Sequence, residues 1–294
     1  MTLETISVCP VCQANSFHSF LTAKDYTVSQ QDFGLVNCNT CGFTITNPRP
    51  TADTIHSYYK SEKYISHTGG SGSLMDRLYR IARSYTLNWK QQLIASFAQQ
   101  KTLLDYGCGS GSFLSHMKSK GWNVTGVEPS SDARAKASEN ATVHEHIESA
   151  NGTYSVITLW HVLEHIHDLN QTLTELGKRL KPSGIIFIAV PNYKSADATH
   201  YKNYWAAYDV PRHLWHFNKQ TMTQVLANAG FSVQKIVPMK LDAYYVSLLS
   251  ESYKDPNAGT FTRYFRAFQK AWISNRAARN SGEYSSLIYI AKKS

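Results

Sequence analysis

Leu103-Leu104-Asp105-Tyr106-Gly107-Cys108-Gly109-Ser110-Gly111-Ser112-Phe113-Leu114 joins a short apolar run to a helical one through three alternating glycines. Glycine lets the backbone turn sharply and approach a ligand, and the first turn of the following helix offers unpaired N–H groups to an anion. The stretch therefore reads as strand, turn and helix, with an anionic or nucleotide-like group seated on the turn. Glu128 follows 17 residues after Gly111, at the end of a second apolar run. A carboxylate there can accept both hydroxyls of a ribose. A dinucleotide fingerprint would place glycine at 112 and no acid ahead of the first glycine. This chain has Ser112 and Asp105, and Asp105 can reach a ligand's ammonium group.

Apolar runs and helical spacings alternate on both sides of the turn. They predict a helix or two over 74–99, a helix over 131–140, a short strand near 141–144, and a buried strand at Tyr154–Trp160. A crossover helix over 168–180, a strand over 184–190, a helix over 219–229, a strand opening at 230–233 and a terminal strand over 286–291 complete the pattern. Such alternation gives an α/β fold, a doubly wound and mostly parallel seven-stranded sheet with ligands at the carboxyl ends of its strands.

In the order acid, three glycines, second acid, residues 85–294 resemble the class I S-adenosylmethionine-dependent methyltransferases, whose first motif reads (D/E)-x-G-x-G-x-G. The resemblance implies a Rossmann-like methyltransferase fold with S-adenosylmethionine as cofactor. It places Asp105, Gly107, Gly109 and Gly111 at the amino-acid end and Glu128 at the ribose. Ile147 is implied on the adenine ring, with Glu148 beside it as the second choice, and Trp160 and His161 on the cofactor side.

The chain has 294 residues, a net charge of +9 and five cysteines. No apolar run is long enough to span a membrane and no signal-peptide plan opens the chain, so a cytoplasmic protein is expected. Cys9-x-x-Cys12 and Cys38-x-x-Cys41-Gly42 form two knuckles 25 residues apart, the spacing of a closed four-thiolate structural zinc ribbon. Residues 1–50 are read as this module, 51–100 as a helical connector and lid, and 101–294 as the core, with an aromatic and basic insertion at 239–283. In methyltransferases of this layout the lid folds over the methionine end, which implies Tyr64 and His67 as contacts.

Two histidine-rich strings lie where an acceptor would bind. His161-Val162-Leu163-Glu164-His165 matches an inverted zincin pattern, but it begins where a strand ends rather than inside a long helix. It also resembles the Leu-Glu-His segment of ubiquinone-type O-methyltransferases, some of which bind a divalent metal through an acid-x-x-Glu-His set. His161 is thus open to cofactor packing, acid–base work or metal ligation. In 201–217, ring faces surround Asp209, Arg212 and His213. His213 is the leading candidate base, with Asp209 to orient it and Arg212 to grip an anionic group on the acceptor. Asp-x-Pro-Arg-His-Leu strings are similar to those of bacterial methyltransferases acting on small molecules and glycans. The reading is methyl transfer to a small-molecule acceptor such as a sugar, glycolipid or secondary metabolite. Its rivals are an RNA methyltransferase with nucleic acid as partner, a non-catalytic zinc-ribbon scaffold, and a zinc hydrolase. The insertion's interleaved basic and aromatic residues suit packing or a substrate lid first, and otherwise nucleic acid, a homodimer contact or an acidic membrane surface.

Overall fold

The computed structural model describes residues 2–59 and 74–294, with the side chains of 74–80 left aside. Tyr64 and His67 lie outside the described residues. The chain opens with β1 (Leu3–Glu4), β2 (Phe17–Lys24), β3 (Asp32–Cys38), β4 (Thr44–Thr46) and β5 (Arg49–Pro50). β3 buries alternate residues Phe33 and Leu35, the period of a strand with one face in a core. Between β2 and β3, Asp25 accepts N–H bonds from Thr27, Val28 and Ser29 at 3.0, 3.1 and 2.7 Å, which fixes the turn. A single-turn 3-10 helix follows at Ile55–Tyr59.

The second part begins with α1 (Leu74–Ala95), one helix where the spacing allowed two. It continues through β6 (Thr102–Tyr106), α2 (Ser112–Ser119), β7 (Asn123–Val127), α3 (Ser131–Ser138), β8 (Thr142–His144) and β9 (Tyr154–Trp160). Then come α4 (Leu169–Arg179), β10 (Leu180–Pro191), α5 (Ala196–Tyr201), β11 (Trp215–His216), α6 (Lys219–Asn228) and β12 (Phe231–Pro238). The insertion is a pair of helices, α7 (Asp242–Lys254) and α8 (Thr260–Ser281), before β13 (Ser286–Lys293).

Seven strands form one sheet in the order β12-β13-β10-β9-β6-β7-β8. β13 runs antiparallel to both β10 and β12, while the other pairings are parallel. Strand order reverses between β6 and β9, and the crevice outside their carboxyl ends is where an open α/β sheet binds ligands. One face is packed by Leu93 and Ile94 of α1 and Phe113, Leu114 and Met117 of α2. The opposite face holds Leu169, Leu173 and Leu176 of α4 and Met222, Val225 and Leu226 of α6.

The small sheet is packed into this second face, since Cys9, Val11, Phe43 and Ile45 share its apolar cluster. Its order is β11-β4-β3-β2. The outer strand β11 is therefore supplied from beyond residue 200, with Trp215 opposite Ile45 and His216 opposite Thr44. Among the described residues no helix is long and apolar enough to cross a membrane.

Candidate active site

The glycines of the turn divide its work. All three have positive φ, of +73°, +53° and +77° at Gly107, Gly109 and Gly111. A Cβ at Gly107 would meet Val162 at 2.6 Å, and one at Gly111 would meet the Ala137 backbone at 2.8 Å. At Gly109 nothing lies within 4 Å, so a ligand can come close to the backbone there. The Gly107 and Cys108 N–H groups both donate to the Val127 carbonyl, at 2.8 and 3.1 Å. Glu128 then accepts from Gly109 N–H at 2.8 Å and Ser130 N–H at 2.9 Å, which pins the tip of β7 to the turn. Asp105, 2% exposed at the end of β6, accepts from the Thr158 hydroxyl at 2.6 Å. Burial pushes its carboxyl up to about 7 against the opposing pull of Thr158 and Lys90.

Lys90 was not singled out by sequence reasoning. It is one position past Trp89 in the apolar stripe of α1, and only the packing of α1 shows where it points. Its ammonium lies 4.0 Å from the Trp160 ring centre, over the face of the sheet that carries Asp105 and Thr158. Burial lowers its pKa to about 8, offset in part by Asp242 and Asp105. Ile147 is buried, and Glu148 beside it is exposed. Trp160 packs edge-on against Phe113.

His161 follows β9 with φ +56°. Its Nε2 lies 2.9 Å from Asp242 Oδ2 and its Nδ1 3.3 Å from Glu164 Oε1. Burial disfavours its charge, but hydrogen bonds to Asp242 and Glu164 and their negative charges win, so its pKa rises to about 10. Below that pH it is an imidazolium with both nitrogens carrying protons. Held between two carboxylates, His161 favours its charged form, which argues against a base among the roles left open for it. The string it opens forms one 3-10 turn at Leu163–His165 and not the long helix of a zincin.

His213, 8% exposed, has Nδ1 2.9 Å from the Ala207 carbonyl. A carbonyl can only accept, so Nδ1 holds the proton and Nε2 the lone pair in neutral imidazole. Nε2 lies 3.9 Å from Asp209 Oδ2. Asp209 is mainly engaged elsewhere, accepting from Arg212 Nε at 3.1 and 3.0 Å and from its Nη2 at 2.6 Å. Arg212 corrects an expectation, for it is 1% exposed and also donates to Asp25 at 3.1 Å and to the Tyr58 carbonyl at 3.0 Å. It ties the β2–β3 turn to the 209–213 loop and, buried there, does not line the cavity where an acceptor would sit.

His161, His165, Asp209 and His213 line a cavity of ≈ 590 Å³. α7 closes another side with Asp242, Val246, Leu249 and Tyr253, and Tyr26 and Thr27 reach in from the small sheet. Tyr26 stacks on Tyr253 with ring centres 4.5 Å apart. The small sheet's share of this wall was not anticipated, because Tyr26 lies more than 180 residues from His213 in sequence.

Two sets of side chains have metal-ligating geometry among the described residues. Ligand atoms of Cys9, Cys12, Cys38 and Cys41 lie within 4.8 Å of one another, with Cys9–Cys41 and Cys12–Cys38 sulfur pairs at 3.6 and 3.5 Å. Gly42 takes φ +73° and returns its N–H to the Cys38 carbonyl at 2.9 Å, the tight turn such a knuckle needs. Four soft thiolates in this arrangement fit tetrahedral zinc. Glu164, His165 and His213 are the second set. Glu164 is fully buried, and its Oε1 is the atom that meets His161 Nδ1 at 3.3 Å. Burial lowers the pKa of His165 to about 4 and so favours its neutral form.

Comparison with known proteins agrees with this geometry. A family model described as a methyltransferase domain matches residues 75–236, just over half of the chain. The ubiquinone biosynthesis O-methyltransferase of Erwinia tasmaniensis is 36% identical over 107 residues, which cover 32% of this chain and 44% of that protein. Its counterpart in Sodalis glossinidius is 35% identical over 104 residues, covering 31% and 42%. The chain thus spans less than half the length of these curated relatives. In fold it is similar to magnesium protoporphyrin IX methyltransferase from Synechocystis, solved with SAH bound, at a TM-score of 0.54 and 14% identity over 83% of this chain and 100% of that one. The profile match spans β6 to β9 with both acids of the crevice, and on it the chain belongs to the methyltransferase-domain family.

Proposed function

We propose that this protein transfers the methyl group of S-adenosylmethionine to an oxygen or carbon of a small-molecule acceptor held in the cavity beside His213. The observation that carries the reading is the crevice between β6 and β9. There Asp105 and Glu128 frame a backbone turn left open at Gly109, and the histidine-lined cavity adjoins it. Glu128 accepts the ribose hydroxyls while its own position is held by two backbone N–H groups. Asp105 receives the ammonium group, Lys90 the carboxylate, and Ile147 backs the adenine. Trp160 lies beneath Lys90 and walls the methionine end.

Bound there, S-adenosylmethionine supplies an electrophilic methyl on a sulfonium. The chain's own task is alignment and proton removal. The side chains lining the cavity would hold the acceptor atom toward the methyl group. His213 Nε2 takes the proton that the acceptor loses. His161 stays protonated and acts as a fixed cation that locks the end of β9 to α7. The four cysteines hold structural zinc, a thiolate site suited to a reducing cytoplasmic compartment. Acceptors of the sugar, glycolipid or secondary-metabolite class suit a wall that sets tyrosines and aliphatic side chains beside histidines, aspartates and hydroxyls.

Calorimetry tests the cofactor half of this reading with two ligands. Wild type should bind S-adenosylmethionine more tightly than its decarboxylated analogue, and Lys90→Met should erase that preference while leaving the analogue's affinity unchanged. Absence of binding to either ligand would refute the function. A preference that survives in Lys90→Met would remove Lys90 from the carboxylate.

A further inference from the structure

The helix α8 is built the wrong way out for a helix that serves only its own core. Its buried positions are the small residues Ala267, Ala271, Ser274 and Ala278. Its large apolar residues point outward, with Phe261 83%, Phe265 62%, Phe268 62% and Trp272 47% exposed. These four recur at intervals of four, three and four, so they form one stripe, about 17 Å long at the α-helical rise. The edge of α7 extends the stripe sideways. Tyr244 lies 5.3 Å from the Phe268 ring, and Tyr245 is 53% exposed. Monomeric proteins seldom leave so continuous an apolar surface to water without a use for it.

Charge identifies what covers it. Residues 260–281 contain no acid; Arg263 is held by the Pro256 and Ala258 carbonyls and Arg266 pairs with Asp255 at 3.0 Å, while Arg276 and Arg279 are exposed and lie on the aromatic side of the helix. Arg276 lies against Trp272, 5.4 Å from its ring centre, and the Asn275 side chain donates to the Lys240 carbonyl at 3.0 Å, which brings exposed Lys240 to the same end. We propose that α8 and the adjoining edge of α7 dock on an anionic lipid bilayer, with the aromatic stripe in the headgroup boundary and the flanking cations on lipid phosphates. A second copy of the chain fits less well. Two-fold pairing of α8 would set two cation-rich helices together with no carboxylate of its own on either. Nucleic acid is disfavoured too, because the rings crowd along one convex helical ridge rather than spacing out along a basic groove.

The full chain is mixed with vesicles of phosphatidylcholine alone and with phosphatidylglycerol added, and bound protein is separated by flotation. Partition to the anionic vesicles is expected, and it weakens with added salt. Phe265→Ser with Trp272→Ser should reduce it about tenfold or more, in keeping with the apolar area removed. Both side chains are exposed, so the melting temperature and S-adenosylmethionine affinity of the variant should match wild type. Four results would overturn the proposal. They are no partition to anionic vesicles at low salt, equal partition of variant and wild type, or a dimer in sedimentation or a complex with a single-stranded RNA oligonucleotide that the same substitutions abolish. The surface is assigned independently of methyl transfer, since flotation needs neither cofactor nor acceptor.

Discussion

His213 and His161 flank one cavity, yet their partners give them opposite protonation chemistry. A carbonyl fixes the proton of His213 on Nδ1, whereas two carboxylates hold protons on both nitrogens of His161. His213→Ala should therefore lower kcat by roughly 10²–10⁴, the usual worth of a positioned base. Calorimetric affinity for S-adenosylmethionine should stay at the wild-type level. Retained turnover would exclude His213 as the base. The residue types at this site were legible in sequence, but their roles were not. Asp242 stands 81 positions from His161, and no local window shows that the two meet. Arg212 makes the same point, since its burial between Asp25 and Asp209 depends on a turn in the small sheet. Asp105 and Glu128 were readable because the motif that holds them is continuous in the chain.

At the scale of elements, His161 and Asp242 clip the end of β9 to the first turn of α7. Burial opposes ionisation of Asp242 and Glu164, but the hydrogen bonds and charge of His161 outweigh it and hold both carboxyls low. An unperturbed histidine titrates at 6.5 and His161 at about 10. Its charge thus adds stability in full below pH 6.5 and loses it as pH rises through about 10. The two acids add stability above their ordinary values of 3.8 and 4.5, which is lost on acidification. Asp242→Asn should lower the melting temperature at neutral pH and flatten its decline between pH 6.5 and 10. An unchanged alkaline limb in that variant would show that the clip contributes nothing. The order of strands and helices from β6 to β10 was visible as hydrophobic periodicity, because each buries a face at its own repeat. The insertion resisted the same reading. Its apolar residues follow a helical period, but on α8 they mark the face turned away from the core.

Across the whole molecule, the knuckle cysteines and His213 are joined through one short ladder. β11 begins two residues after His213 and completes the small sheet on β4. If the four cysteines hold the proposed zinc, removing it with a chelator, or substituting Cys41→Ser, should lower the melting temperature and reduce turnover severalfold. S-adenosylmethionine affinity should change much less, since Asp105 and Glu128 belong to the large sheet. Metal content, thermal unfolding and calorimetry on one preparation would check this, and equal losses of affinity and turnover would contradict it. The zinc-ribbon spacing was legible in sequence, but its fusion to the core was not, because the pairing of β4 with β11 has no local signal.

That ladder also bears on synthesis. Ile45 finds its partner Trp215 only after 170 further residues have been made. At ordinary elongation rates that is a delay of roughly 10–30 s. Throughout it the β4 edge of the nascent ribbon has no strand beside it, and the cysteine knuckles precede the surface that will bury them. A translating ribosome therefore carries an N-terminal segment with an open, sticky edge. Ligation of the knuckles early in that interval would protect the segment from mispairing until the core arrives.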